Sequence, residues 1–348
     1  MTDVKDPQRR RWLEAAGALG AGSALRALGA TGALGMFGAL GPAASPARAA
    51  SWPVPQITFL QPYGPGTALD AVTRLAAKQI SDQWGVPIVV ENRAGANGVV
   101  GTEAVARGKP DGSLFLFTGP GHFTNEFLLD KLPYDAARDF KAVARIASVM
   151  LVLVVPTASP FKTAQELIAA ARSQPGKLSY SSGGAGSSQH LAAALLESKA
   201  GIKALHVPYK VQTQALTDIV GGQVDFGFAA LATARGQFQA GKLRLLAVTG
   251  GRRSQSLPDV PSLAEAGVPG YSFFSLNAAF AHAAMPDELV RRMSDALAAV
   301  SRSREYVDLT RTLGIEGDFA DVQSFGAAVP AERQFWADLI RTSGAKGG

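Results

Sequence analysis

Residues 56–70 read QITFLQPYGPGTALD, which predicts a strand, a glycine-containing loop and the first turn of a helix. The strand Gln56–Leu60 ends before Pro62, and apolar residues at 72, 75, 76 and 80 then place one hydrophobic face on a helix from Ala68 to about Trp84. Ile88–Val90 predicts the next short strand. A strand, a helix and a strand at this spacing indicate right-handed crossovers in a mostly parallel sheet.

The same alternation continues along the rest of the chain. Val149–Val155 is a continuous apolar run, which is typical of a strand covered on both faces. Strands and helices alternate from there to Thr249, and from Met285 onward the pattern is helical apart from a short piece near Ile315. We therefore predict an α/β fold with two lobes, each a mostly parallel sheet flanked by helices, and a cleft between them. Ligands of such sheets bind beyond the carboxyl ends of the strands.

The composition is that of a globular protein with an unusual N-terminal segment. Charged residues make up 18% of the 348 residues, where roughly a quarter is usual. From Trp12 to Ala50, three charged side chains interrupt a field of Ala, Gly and Leu. Removing residues 1–49 leaves 299, enough for two lobes of about 150 residues with their own cores. The 47% hydrophobic content excludes disorder, and the lack of cysteine excludes thiolate catalysis, disulfides and thiolate zinc sites.

The net charge of +6 does not indicate a nucleic-acid partner. Residues 1–49 carry six Lys/Arg and three Asp/Glu, so a charge of +3 remains for the rest of the chain. That part has no basic run of roughly 5–8 residues. We predict no nucleic-acid binding.

The N-terminus is predicted to be an export signal. Arg9-Arg10-Arg11-Trp12-Leu13 resembles the twin-arginine translocation pattern, and a weakly hydrophobic Ala/Gly/Leu stretch follows it. Pro46-Ala47-Arg48-Ala49-Ala50 then offers a small-x-small cleavage site. The alternative is a transmembrane anchor, which Arg26 and eight glycines in the apolar stretch disfavour. We expect residues 1–49 to be cleaved and the mature protein to be periplasmic.

Two loops join a strand to a helix N-terminus and are candidate ligand sites. The first is Tyr63–Asp70, in which Gly66 permits close backbone approach. The unpaired N–H groups and positive dipole end of a helix N-terminus suit a carboxylate or a phosphate. The alternative is an ordinary turn capped by Thr67 or Asp70. From this loop the candidate ligand-binding residues are Tyr63, Gly66, Thr67, Leu69 and Asp70.

The second loop is Ser181–His190, with three glycines and four hydroxyl groups ahead of a predicted helix. This pattern indicates an anion nest with added side-chain donors, although a flexible loop with a serine cap explains it as well. It is not a dinucleotide fingerprint, because Gln189 stands where a third glycine would be needed. From this loop the candidates are Gly184, Ala185, Gly186, Ser187 and His190.

The sequence has few signatures of catalysis or of metal and cofactor binding. It contains no G-x-S-x-G elbow, no H-E-x-x-H pair and no phosphate-binding P-loop, so we predict no metal and no cofactor. Ser187 and His190 lie one helical turn apart and could form a triad with Asp70 or Asp225. We prefer the interpretation that His190 orients the loop or donates to a bound anion, and keep a periplasmic serine hydrolase as an alternative.

A series of short motifs runs in one order from about residue 56 to 345, a range that is nearly all of the predicted mature chain. They are Pro62–Asp70, Val89–Arg93 with Gly95 and Gly98, Pro110–Gly112, Leu132–Asp135 with Asp139–Phe140, Ser182–Leu191, His206–Lys210, Gly222–Asp225, Gly241–Arg244 and Leu257–Gly267. In these motifs the chain resembles the substrate-binding proteins of the tripartite tricarboxylate transporter family, the Bug-type extracytoplasmic receptors.

The resemblance implies a two-lobed periplasmic-binding-protein fold with two strands crossing between the lobes. The first lobe would be residues 50–151 plus 272–348 and the second 152–271. A small carboxylate would sit in the cleft, held by backbone N–H groups of the two loops, often through ordered water, and would be delivered to a membrane permease. Thr118, Tyr209 and Ala229 complete the candidate ligand-binding residues.

Some residues depart from the family pattern. Thr67 replaces a usual glycine, Ala229 stands where many members carry Asp, and Leu276 replaces a common Trp. The changes at 229 and 276 suggest a less polar pocket or an altered ligand. A ligand sensor that reports to a signalling protein is the alternative role for the same fold.

Overall fold

The structure, a computed structural model, describes residues 52–209, 212–316 and 318–344. The predicted export signal at residues 1–49 lies outside this range, as do Lys210 and Val211 at the end of the His206–Lys210 motif. Residues 50–348 form one compact unit.

The first sheet has six strands. In spatial order they are β11 (Ile315–Glu316), β4 (Phe140–Val149), β10 (Ser275–His282), β3 (Leu114–Thr118), β1 (Ile57–Gln61) and β2 (Ile88–Asn92). Its helices are α1 (Ala68–Trp84), α2 (Val99–Ala106), α3 (Gly121–Leu128), α8 (Asp287–Ser301), α9 (Arg304–Leu313) and α10 (Val322–Ser343). Strand β1 pairs in parallel with β2 and β3, whereas β10 runs antiparallel to both β3 and β4.

The second sheet has five strands. In spatial order they are β7 (Leu205–Pro208), β6 (Ser179–Ser182), β8 (Phe226–Ala230), β5 (Leu151–Pro156) and β9 (Leu243–Val248). Its helices are α4 (Ala164–Ser173), α5 (Ser188–Ala200), α6 (Gln212–Val220) and α7 (Leu231–Gln239). Strand β6 pairs in parallel with β7 and β8, and β5 runs antiparallel to β8 and β9.

The chain passes between the sheets twice, once from β4 directly into β5 and once from β9 to β10. The α/β class with two helix-flanked sheets is confirmed. The sheets are mixed rather than mostly parallel, because the strands that carry these crossings run antiparallel to their neighbours. The apolar run Val149–Val155 is the meeting point of two strands rather than one strand, since β4 ends at Val149 and β5 begins at Leu151.

Helix α10 makes the hydrophobic core continuous between the two sheets. The ring centroid of its Phe325 lies 5.5 Å from that of Phe280 in β10. Its Trp336 is fully buried, and the ring centroids of Trp336 and Phe273 are 5.7 Å apart. The same core includes Leu191 of α5, which belongs to the second sheet. Within residues 52–209, 212–316 and 318–344, no helix combines the length and the apolar character of a membrane span.

Candidate ligand-binding site

Two loops leave parallel strands at their carboxyl ends and lead directly into helices, one from β1 to α1 and one from β6 to α5. Each helix is capped by a hydroxyl group of its loop: Thr67 Oγ1 accepts from the Asp70 N–H at 3.1 Å, and Ser187 Oγ accepts from the His190 N–H at 3.3 Å. The first helical N–H groups, those of residues 68–69 and 188–189, have no acceptor within their helix. Both helix ends therefore present donors and positive partial charge to an anion.

Asp70 holds the first loop in shape. Its carboxylate accepts from the Gly66 N–H at 3.1 Å, from Arg74 Nε at 3.0 Å and from Asn92 Nδ2 at 3.2 Å. Burial raises the pKa of Asp70, but the hydrogen bonds from Arg74, Gly66 and Asn92 outweigh it and hold the pKa below its ordinary value. A carboxylate that is ionised and fully engaged shapes the loop and does not itself donate to an anion. Gly66 has φ +83°, which favours glycine at this turn.

Tyr63 lies across the carboxyl end of β3. A Cβ on Gly121 would come within 2.6 Å of the Tyr63 hydroxyl, and one on Gly119 within 3.7 Å. The two glycines therefore make room for the phenol. Burial raises the pKa of Tyr63, so the hydroxyl remains a hydrogen-bond donor at neutral pH.

The second loop is held by contacts with its own helix and strand. The Gly186 N–H donates to His190 Nδ1 at 3.0 Å, and the Gly184 N–H donates to Ser182 Oγ at 3.1 Å. Gly184 and Gly186 have φ values of +107° and +74°, with Ala185 between them. The N–H of Gly186 is thus used inside the loop, and the donors left for a ligand lie at the start of α5.

This second loop touches elements of the first sheet at two points. Gly186 packs so closely on Leu128 of α3 that a Cβ there would lie 2.2 Å from Leu128 Cδ1. The hydroxyl groups of Ser188 and Ser275 are 3.0 Å apart. A Cβ on Gly119 would also contact the backbone oxygen of Leu276 at 3.4 Å. The start of β10 therefore contacts the second loop at Ser188 and lies beside Gly119, which also neighbours Tyr63 of the first loop.

A narrow crevice opens at the carboxyl ends of β6 and β8, beside the second loop. It is lined by Ser182, Gly183, Gln189, Ala229 and Thr233, among others, and its free volume of about 10 Å³ leaves room for about one water molecule. Ala229 is buried there and brings no polar group to the crevice. Tyr209 lies nearby, with its hydroxyl donating to Asp218 Oδ2 at 2.7 Å; burial and this carboxylate raise its pKa to about 12.

Three buried polar side chains lie at the same edge of the first sheet. The amide of Gln61 and the Nδ2 of Asn277 have no partner among the described atoms, and the hydroxyl of Thr118 faces that of Tyr63. Gln61 and Thr118 end β1 and β3, and Asn277 begins the antiparallel β10, so their backbones meet at one edge. Buried polar groups need a partner, and a ligand or ordered water is the kind that would serve.

The structure thus brings most of the predicted residues to the two loops: Tyr63, Gly66, Thr67, Leu69 and Asp70 to the first, and Gly184, Ala185, Gly186, Ser187 and His190 to the second. Thr118 ends β3 beside Tyr63, and Ala229 and Tyr209 lie beside the second loop. Leu69 points its side chain into the core and leaves only its N–H for a ligand. Sequence reasoning missed Gln61, Asn277 and Ser275. Gln61 and Asn277 interrupt apolar strands, which is the signal that could have found them.

His190 and His206 form a stacked pair under the second loop. Their ring centroids are 4.2 Å apart with an angle of 2° between the planes, and His206 Nε2 lies 2.6 Å from Ser182 Oγ. Burial, and next the neighbouring His206, lower the pKa of His190 to about 4; burial also lowers the pKa of His206. The described part of the chain holds no cluster of three or more His, Asp or Glu side chains suited to a metal ion.

The fold has two sheets flanked by helices, the chain crosses between them twice, and helices begin at the strand ends that face the candidate site. This is the architecture of two-lobed periplasmic binding proteins. Solved structures support this class. The chain superposes with a TM-score of 0.77 on "R. palustris Rpa4515 with adipate", at 32% identity over 85% of this chain and 99% of that one. It superposes with a TM-score of 0.72 on "MatC (Rpa3494) from Rhodopseudomonas palustris with bound malate", at 26% identity over 83% and 99%.

The chain belongs to the tripartite tricarboxylate transporter family of receptors, whose sequence profile matches residues 72–344. Among related sequences, a UPF0065 protein from the tcbD-tcbE intergenic region of a Pseudomonas species is 35% identical over 84% of this chain and 88% of its own length. The protein BugT of Bordetella pertussis is 29% identical over 87% and 94%. The family is one of periplasmic solute-binding receptors, as the motifs indicated.

Proposed function

We propose that this protein captures a small organic carboxylate between two lobes, residues 50–151 plus 272–348 and residues 152–271, and delivers it to a membrane permease. One observation carries the proposal: α1 and α5 both begin at carboxyl strand ends, and both leave first-turn N–H groups without a helical acceptor. Preorganised N–H donors of this kind recognise a carboxylate through charge-assisted hydrogen bonds. The adipate and malate named for the two solved relatives support the same ligand class.

The proposed site combines backbone donors with the polar groups at the edge of the first sheet. The N–H groups at the starts of α1 and α5 would take the carboxylate, directly or through water. Tyr63, Thr118 and Asn277 would then meet polar atoms further along the ligand. Ala229 contributes no charge to the crevice, which favours a ligand whose far end is not strongly polar.

We propose that the protein binds its ligand without catalysing a reaction. Ser187 Oγ accepts a hydrogen bond from the backbone of His190, and the His190 ring accepts from Gly186 at Nδ1. No contact in the described part of the chain joins the Ser187 hydroxyl to the imidazole, which is the bond that a serine nucleophile needs.

A thermal-shift screen tests the ligand class. The panel contains benzoate, adipate, malate and citrate, with adipamide as the uncharged match of adipate. At about 100 times its Kd, a bound carboxylate stabilises by about 2.7 kcal/mol, which corresponds to roughly 5 °C in Tm. We expect at least one carboxylate to give such a shift and adipamide to give none. Protein shown by native mass spectrometry to be ligand-free, and unresponsive to every carboxylate, would contradict the proposal.

We also propose export through a cleaved twin-arginine signal, which the pattern at Arg9–Leu13 supports. Trp52 is buried, stacked on Trp84 at 4.6 Å, and donates from Nε1 to the Gly112 carbonyl, so cleavage before residue 51 leaves these contacts intact. Replacing Arg9 and Arg10 together by Lys should abolish export, while Arg26→Lys should not. Equal export of the two variants would contradict this route.

A further inference from the structure

His206 was not among the candidate site residues, yet it lies in one network with the second loop. Its Nε2 is 2.6 Å from Ser182 Oγ, and the same oxygen accepts from the Gly184 N–H. Its ring stacks face to face on His190, whose Nδ1 accepts from the Gly186 N–H. Gly186 is therefore bonded to the pair directly, and Gly184 is bonded to Ser182, whose hydroxyl lies between His206 and the Gly184 carbonyl.

The hydrogen bond from Gly186 fixes the protonation of His190. A backbone N–H can only donate, so Nδ1 of His190 must be unprotonated and the proton of the neutral ring must be on Nε2. Protonating Nδ1 would set two donors against each other. It would also place a cationic ring 4.2 Å from that of His206, which is itself half-buried.

The groups around the pair offer it no compensating carboxylate. Tyr180 of β6 stacks 4.9 Å from His206, and Glu197 of α5 accepts from the Ala204 N–H. Asp218 of α6 accepts hydrogen bonds from Tyr209 and Gln214, and Glu126 of α3 accepts from Arg333. Within the described contacts, none of these three carboxylates is hydrogen-bonded to His190 or His206.

We propose that His190 and His206 are positioning residues that hold the Ser182–Ser187 loop as a neutral stacked pair, and that protonation of His190 releases the loop. Release of the loop would also weaken carboxylate binding, and this consequence rests on the proposed function. The positioning itself is a property of the free protein and is measured without ligand, so its failure is distinguishable from failure of the proposed function.

Histidine nitrogen NMR of the purified protein tests the protonation state. In a long-range proton–nitrogen spectrum at pH 7, His190 should show a protonated Nε2 and an unprotonated Nδ1, and this signature should persist at pH 5.5. His190 carrying its proton on Nδ1, or becoming cationic above pH 6, would overturn the proposal.

Hydrogen exchange of backbone amides tests the positioning. His206→Ala and His190→Ala should speed exchange in the segment 182–187 at least tenfold at pH 7. His206→Gln and His190→Asn keep an acceptor near the original nitrogen and should restore protection. If an alanine variant does not fold, the paired amide variant and the NMR signature still decide the matter.

His282→Ala is the matched control, because His282 Nδ1 likewise accepts a backbone N–H, that of Ala284 at 3.0 Å, at the far end of β10. It should change exchange near 284 and leave 182–187 as in the wild type. Unchanged exchange of the loop in both His190→Ala and His206→Ala, or an equal effect of His282→Ala, would overturn the proposal.

Discussion

Because Gly186 has no Cβ, the second loop can pack closely against Leu128 of α3, a helix that flanks the first sheet. Gly176 provides the matched comparison, because it has φ +76° against +74° at Gly186 but nothing within 4 Å of its Cβ position. Alanine at either site adopts a left-handed conformation, which costs about 1 kcal/mol. Only Gly186→Ala must also displace Leu128, at a further 1–3 kcal/mol, roughly.

We therefore expect Gly186→Ala to lower the free energy of unfolding more than Gly176→Ala, and to weaken carboxylate binding at least tenfold. Urea unfolding and titration calorimetry measure the two effects. Equal losses of stability and unchanged affinity in both variants would show that the contact with Leu128 has no role.

Two buried histidines make stability depend on pH. Burial lowers the pKa of His122, enclosed by three Phe rings, to about 3, and burial and His206 lower that of His190 to about 4, both from 6.5. Because the unfolded chain takes up these protons first, stability is full above pH 6.5 and falls as the pH drops toward 4. Each histidine contributes up to about 1.4 kcal/mol per pH unit.

Urea unfolding between pH 7 and 4 measures this slope, and His122→Gln should reduce it. A free energy of unfolding that stays constant over this range would contradict the account of both side chains.

At the scale of an element, α1 carries two aspartates that each accept from a basic side chain four residues away, with different surroundings. Asp70 is buried and also holds Gly66 and Asn92, whereas the pair of Lys78 with Asp82 is exposed. Removing a buried, multiply bonded carboxylate leaves several donors unpaired and costs about 2–3 kcal/mol. Removing one partner of an exposed pair costs about 0.5 kcal/mol or less.

Asp70→Ala should therefore destabilise the protein and loosen the first loop, with a loss of carboxylate affinity, while Asp82→Ala should change neither property measurably. Chemical denaturation and titration calorimetry of the two variants provide the comparison. Similar behaviour of both would mean that Asp70 does not organise the loop.

Elements with local signals were predictable from the sequence. The capped helix α1 and the Ser187 cap of α5 follow from hydroxyl residues placed ahead of helical runs. Strand β4 was missed because Lys141 and Arg145 break its apolar pattern, and these pair with Asp287 and Asp318 from distant parts of the chain. Helix α3 was missed because it begins without a side-chain cap.

The candidate site divides in the same way. Its loops were recognisable from glycines and caps that lie within ten residues of one another. The contacts of Gly186 with Leu128, Ser188 with Ser275, and His190 with His206 join residues far apart in sequence. Only the folded chain brings such pairs together, so no local pattern could reveal them.

For the whole molecule, the two sheets share a core through α10 and meet where β10 begins, beside both loops. This arrangement suits a receptor that closes over a ligand, because contacts made only in the closed state favour that state.

Four of the six Lys/Arg at residues 1–49 lie before residue 12, in the predicted signal, so the overall +6 charge does not describe the ligand site.

The most direct measurement is a crystal structure of the protein with the carboxylate that raises its Tm most. The account predicts carboxylate oxygens about 2.7–3.2 Å from first-turn N–H groups of α1 and α5, directly or through one ordered water. A carboxylate bound elsewhere, with both helix N-termini facing bulk solvent, would contradict it.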